Sequence, residues 1–254
     1  MKSILNWVGG KSRLAKKIIE RIPEHTLYIE PFVGAASVFL NKEPARYEVL
    51  NDLNGDLIGF YRCLQNHPEE LIRQIAWLIP SRKMWGEYKS QLNSDGLTDI
   101  QRAARFYYVH RLGFGGRVVG KSYGATPSDR PRFCASQATD NFRELTKRFK
   151  RVQIENLPYN DLISRYDRQN AFLYIDPPYM GREGFYGKGF FSRADFDILA
   201  GLLANIKGKF LLSINDRPEV REIFGNFKIE PVKVQYSIKK DSNTAAKELF
   251  ITNY

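Results

Sequence analysis

A single α/β domain carrying a sizeable, mainly helical insertion is the fold class this sequence predicts, and three observations predict it. A chain of 254 residues with 43% hydrophobic and 26% charged residues can bury a large core. Short apolar runs near 26–30, 47–50, 152–155, 171–175 and 210–214 alternate with amphipathic, helix-like stretches, the rhythm of βαβ units. Between about Phe60 and Asp140 that rhythm stops, and helical segments and a long Gly-rich basic loop, Gly113 to Arg132, replace it. The expected division is therefore 1–59 with 141–254 as one sheet-bearing domain and 60–140 as the insertion.

In chain order, Asn6-Trp7-Val8-Gly9-Gly10-Lys11 reads as a glycine turn, followed by an amphipathic helix over 13–21 with Leu14, Ile18 and Ile19 on one face and Pro23 as its stop. Thr26 to Glu30 reads as a strand, Pro31 to Gly34 as a turn, and Ala35 to Asn41 as the first turns of a helix. Tyr47 to Leu50 reads as a second buried strand, with Asn51-Asp52-Leu53-Asn54 capping the helix that runs through Leu64. A helix is expected over 141–149, and a terminal strand pair around Val232–Ile238 and Leu249–Thr252.

Composition bounds the chemistry. No run of eighteen apolar residues and no charged-then-apolar leader is present, so a cytoplasmic setting without a membrane is expected. Cys63 and Cys134 are too few for a disulfide framework and too far apart for a paired zinc spacing, so two free thiols and no metal are expected. The net charge is +11, and residues 111–151 supply +7 of it, ten Lys/Arg against Asp129, Asp140 and Glu144. Such an excess suits a polyanionic partner without identifying one.

The sharpest chemical signal is Asp176-Pro177-Pro178-Tyr179, directly after the apolar run Ala171-Phe172-Leu173-Tyr174-Ile175. Ligands of an α/β sheet gather at that carboxyl edge. Paired prolines stiffen the loop and leave carbonyl oxygens free to accept. An exocyclic amine is a poor nucleophile, because its lone pair is delocalised into the ring. Accepting its two hydrogens on the Asp176 carboxylate and the Pro177 carbonyl draws that pair out for attack on a sulfonium methyl. Tyr179 offers a flat face to a base taken from its stack. The plain alternative is a Pro-rich turn capped by Asp.

Taken together, Asn6 to Lys11, Tyr28-Ile29-Glu30-Pro31-Phe32-Val33-Gly34, Leu50 to Asn54, Asp176 to Tyr179 and the ending Glu248 to Tyr254 resemble the ordered motifs of the Dam-type (D12 class) DNA adenine methyltransferases. The resemblance covers nearly the whole chain and is weakest over about 65–140. It implies a Rossmann-like, S-adenosylmethionine-dependent methyltransferase sheet, with a DNA-recognition domain inserted between cofactor and catalytic motifs. The implied reaction is methyl transfer from S-adenosylmethionine, released as S-adenosylhomocysteine, to N6 of a flipped adenine in double-stranded DNA. The implied cofactor contacts are Trp7, Lys11, Phe32, Gly34, Asp52 and Asp176, with Asp52 on the ribose hydroxyls. Asp176, Pro177 and Tyr179 are the implied catalytic set. A GATC-like target is suggested. Against these stand Trp7 as a core aromatic, Lys11 as a solvated surface charge and Asp52 as a helix cap. The chain departs from many relatives at Asn156-Leu157-Pro158-Tyr159, where an acidic or polar residue reads the cofactor adenine, and at Ala35-Ala36.

Within the insertion, Arg111, Arg117, Lys121, Arg130 and Arg132, set among Phe114, Tyr123 and Phe133, are the candidate DNA contacts; a solvated basic face is their plain alternative. Gly184 to Phe191 is a candidate cover for the flipped base or else packed surface.

Rival functions leave different marks. A dinucleotide oxidoreductase would show a three-glycine fingerprint after the first strand, where this chain has Pro31-Phe32-Val33-Gly34-Ala35-Ala36. Cytosine carbon-5 methylation needs a Pro-Cys nucleophile, but Cys63 follows Arg62 and Cys134 follows Phe133. Asp at 176 favours adenine without excluding amino-group methylation of cytosine, and intact Asp176, Tyr179, Asp52 and Lys11 argue against a DNA-binding module without catalysis; the biological role and an oligomeric state between monomer and weak dimer on DNA stay open.

Overall fold

The computed structural model describes residues 5–7, 9–115, 120, 122–124, 133–185, 189–234 and 246–254. Its centre is a seven-stranded sheet of β1 (Leu27–Glu30), β2 (Tyr47–Asn51), β3 (Gln153–Glu155), β4 (Ala171–Ile175), β5 (Lys209–Asn215), β6 (Lys228–Val234) and β7 (Ala246–Thr252). They lie in the order β3-β2-β1-β4-β5-β7-β6. The pairs β1–β2, β2–β3, β1–β4 and β4–β5 are parallel, and β7 runs antiparallel to both β5 and β6. This is the expected Rossmann-like arrangement. Leu27 of the central strand faces Tyr47 on one side and Ala171 on the other.

The strands are apolar on both faces because both faces are covered. Tyr28, Leu50, Phe172, Tyr174, Leu211 and Phe250 project into one core. Their neighbours Ile29, Val49, Leu173, Ile175, Leu212, Leu249 and Ile251 project into the other. On the first face pack α1 (Ala15–Ile19), α2 (Gly55–Asn66), α3 (Pro68–Ile75), α4 (Arg82–Gln91), α5 (Asp99–Leu112) and α6 (Ala135–Phe149). On the second pack α7 (Tyr159–Tyr166), α8 (Ala194–Ala204) and α9 (Pro218–Ile223).

Two of the helix starts have a plain local cause. The Asn54 side chain accepts from the Leu57 amide to start α2, and Thr98 forms a capping box with Gln101 to start α5. Residue 60, the expected edge of the insertion, lies inside α2, whose Phe60, Tyr61 and Leu64 share one core with the sheet. Among the described residues of 60–140 the named elements are all helices, with one isolated bridge between Gly113 and Tyr123.

Two expectations need correction. The helix expected over 13–21 is confined to Ala15–Ile19, because the Lys11 carbonyl accepts from both Leu14 and Ala15 and makes residues 12–14 a turn. The helix expected over 35–41 does not form; the segment is a series of turns. Gly34 and Ala36 take φ values of 44° and 54°, outside the right-handed helical region, and the Phe39 amide goes to the Glu30 side chain.

Candidate active site

The chain order reverses between β1 and β4, and at the carboxyl ends of these strands lies a cleft. Trp7, Lys11, Phe32, Gly34, Asp52 and Asp176, from four separated stretches of sequence, all line it. Of the catalytic loop, Pro178 lines the cleft as well, while Pro177 is buried and Tyr179 half-buried outside the lining set.

Asp176 follows the last residue of β4. Its Oδ1 accepts from Lys11 Nζ at 2.5 Å and from Ser213 Oγ at 3.1 Å, and Ser213 is linked to the Tyr174 hydroxyl at 2.8 Å. Both donors use the same oxygen, so Oδ2 keeps its accepting capacity. Burial pushes the carboxyl up to about 6, opposed by the Lys11 charge and hydrogen bond. Lys11 is 4% exposed and also donates to the Gly9 carbonyl, which removes the solvated-charge alternative. Its ammonium lies 4.6 Å from the centre of the Tyr179 ring, whose hydroxyl donates to Glu248.

Asp52 is more than a cap. Oδ2 accepts from the Gly34 amide and Oδ1 from the Asn54 amide, each at 3.0 Å, so one carboxylate ties the ends of β1 and β2 together. Burial pushes this group, too, up to about 6 against those backbone donors. Each oxygen has a second lone pair for an incoming hydroxyl. Asn51 supports the same corner: its side-chain nitrogen donates to the carbonyls of Pro31 and Leu157, and its oxygen accepts from the Leu157 amide.

Gly34 is required by space and by backbone. A Cβ there would stand 2.9 Å from two atoms of the Trp7 indole, on a backbone with φ of 44°. Trp7 is itself stacked on His110, 5.0 Å between ring centres, and combines core packing with cleft lining. Gly34→Ala is expected to destabilise the protein by about 2 kcal/mol and to weaken ligand binding in the cleft, measured by thermal melting and titration; a variant as stable as the parent would show that Trp7 can retreat without cost.

At the other end the cleft is apolar. Phe32 packs against Tyr159 and Phe191 at 5.5 and 5.8 Å, and Leu53, Leu157 and Tyr159 join the lining. Asn156 is turned to the Asp52 carbonyl at 2.7 Å. Of the candidate cover, Phe191 is core-packed and Phe190 lines the cleft; Tyr186 lies outside the described residues.

The basic candidates are less visible. Arg111 lies in the last turn of α5 and bonds through its guanidinium to Asn6 Oδ1 at 3.4 Å, while its carbonyl accepts from Asn6 Nδ2. Arg117, Lys121, Arg130 and Arg132 lie outside the described residues. Cys63 and Cys134 are free thiols. Among the described residues no group of three His, Cys, Asp or Glu could hold a metal, and no helix is long and apolar enough to cross a membrane.

Four residues escape the sequence reading as site residues. Glu30, 1% exposed, lines the cleft while accepting from the Tyr28 hydroxyl and the Phe39 amide; burial pushes it up to about 8. An acid ending an apolar strand was the available signal. Asn51, Ser213 and Glu248 reach the site from β2, β5 and β7; Asn51 and Glu248 fall within quoted motifs but carry no role there, and nothing local marks Ser213.

The model of the D12 class N6 adenine-specific DNA methyltransferases matches residues 7–238. A DNA adenine methylase of Vibrio cholerae is 28% identical over 94% of this chain and 91% of its own length. A type II methyltransferase of Lactococcus lactis subsp. cremoris is 27% identical over 100% of this chain and 96% of its own. The DNA adenine methylase of Escherichia coli K12 is 27% identical over 97% and 92%. With the family match spanning both the glycine turn and the Asp176 loop, this chain belongs to the D12 class of N6 adenine-specific DNA methyltransferases.

Proposed function

We propose that the methyl donor is S-adenosylmethionine and that its acceptor is N6 of an adenine flipped out of duplex DNA, with Asp176 and the Pro177 carbonyl accepting the amino hydrogens. The observation that carries this reading is the Asp176 carboxylate, half-buried in the cleft with Oδ1 fixed by Lys11 and Ser213 and Oδ2 left to accept.

The cleft suits that donor. The Asp52 and Asp176 carboxylates, ionised above about pH 6, favour a cationic ligand, and Gly34 lets the Trp7 indole lie close against the cleft floor. Asp52 would take the ribose hydroxyls, Lys11 and Trp7 the methionine end, and Phe32, Leu157 and Tyr159 the adenine. The donor supplies an electrophilic methyl on a sulfonium. Asp176 and the Pro177 carbonyl orient the target nitrogen; as nitrogen bonds the methyl carbon and the sulfur keeps the electron pair of its broken bond, Asp176 takes the proton the nitrogen sheds. Tyr179 supports the extruded base. The segment 60–140, with Arg111, Arg117, Lys121, Arg130 and Arg132, reads and holds the duplex.

The test is incubation with methyl-tritiated S-adenosylmethionine and unmethylated genomic DNA, followed by nucleoside analysis across a pH series. Label is expected in N6-methyladenine. Because only ionised Asp176 can take the proton that the nitrogen sheds, kcat/KM should rise with pH through about 6 and level off above it. Label in N4-methylcytosine would overturn the acceptor, and a profile flat from about pH 5 to about pH 7.5 would remove Asp176 ionisation from the chemistry.

A further inference from the structure

In the antiparallel pair of β5 and β7, Glu248 stands directly opposite Asn215, so the two side chains leave the sheet on the same face. Both grip the loop that follows β4. Asn215 Oδ1 accepts from the Met180 amide at 3.0 Å, and Asn215 Nδ2 donates to the Met180 carbonyl at 3.2 Å. One residue earlier, the Tyr179 hydroxyl donates to Glu248 Oε1.

Glu248 is 1% exposed, and a carboxylate is costly to hide from water. Its hydrogen bond fixes the tilt of the Tyr179 ring. That ring is the face over which the Lys11 ammonium sits at 4.6 Å, and the same ammonium holds Asp176 at 2.5 Å. A ring free to swing would deprive Lys11 of one of its contacts and loosen the carboxylate it orients.

We propose that Glu248 is a positioning residue for methyl transfer, acting through the Tyr179 hydroxyl to hold the ring and the Lys11–Asp176 pair in register with the target base. The inference rests on the proposed reading of the Asp176 to Tyr179 loop as the transfer loop. Glu248 acts on the loop through Tyr179, with its charge also felt at Asp176 as an upward push on that carboxyl, and both effects fall on the rate of transfer, not on donor binding.

The experiment is single-turnover transfer with the full chain at saturating S-adenosylmethionine and duplex DNA, for Glu248→Ala, Glu248→Gln, Tyr179→Phe and Glu248→Ala/Tyr179→Phe. Glu248→Ala should lose about tenfold in transfer rate, the factor matching about 1.4 kcal/mol, with the KM for the donor unchanged. Glu248→Gln, which can still accept from the hydroxyl, should recover most of the rate. Tyr179→Phe should match Glu248→Ala, and the double variant should lose no more than either. Losses that multiply in the double variant would overturn the proposal, and so would Tyr179→Phe at the parental rate, an outcome that can be read even if Glu248→Ala fails to fold. A parent chain that does not label adenine would strike the transfer-loop reading itself, and this inference with it.

Discussion

Asp176→Ala is expected to abolish methyl transfer, lowering the single-turnover rate by about a thousandfold or more, while affinity for duplex DNA stays near that of the parent. The substitution removes an acceptor of the amino hydrogens and also leaves the Lys11 ammonium, 4% exposed, without its carboxylate. An uncompensated buried charge costs about 3–5 kcal/mol, so a drop in melting temperature should accompany the loss. Asp176→Asn separates the two effects, since it keeps the volume and one acceptor but not the charge. Single-turnover rates, fluorescence anisotropy with labelled duplex and thermal melts on the same samples distinguish them. Near-normal turnover in Asp176→Ala would sink the mechanism.

Asp52→Ala carries the second large effect, on donor affinity. Hydrogen bonds from hydroxyls to a charged acceptor contribute about 1.5–3 kcal/mol each, so losing a pair should raise the dissociation constant by about a hundredfold or more. The same change frees the Gly34 amide and loosens the floor of the cleft. At saturating donor the transfer rate should recover most of the way, because Asp52 acts on binding. Calorimetric titration settles the point; an unchanged dissociation constant in a folded Asp52→Ala would place the ribose elsewhere.

What was legible in the sequence divides by the range of the interaction involved. The run Ala171 to Ile175 announces a strand covered on both faces, and Asn54 announces a cap, because both depend on neighbours in the chain. The motifs brought Trp7, Lys11, Phe32, Gly34, Asp52 and Asp176 into view as a set, and all six line one cleft. Whether Lys11 is solvated or buried was not readable, since its partner Asp176 lies 165 residues away. Residues 35–41 misled for a similar reason: Glu30 captures the Phe39 amide and the backbone at Ala36 turns left-handed, so tertiary contacts override helical propensity. Glu248 looks like any strand-end acid until Tyr179 is placed against it.

The placement of β1 between β2 and β4 has a consequence for how the chain reaches its native state. Pairing Leu27 with Ala171 closes a span of more than a hundred residues, an entropically slow event, whereas β1 finds β2 across a short one. The helices α2 to α6 lie between, built from contacts nearer in sequence, and forming them first shortens the effective span. One edge of the central strand therefore stays open until the helices have docked and β4 arrives. During synthesis the crevice between β1 and β4 cannot close until the chain through β4 has emerged and the intervening helices have docked, so a slip in helix docking would leave a methyltransferase with much of its secondary structure and no place to bind.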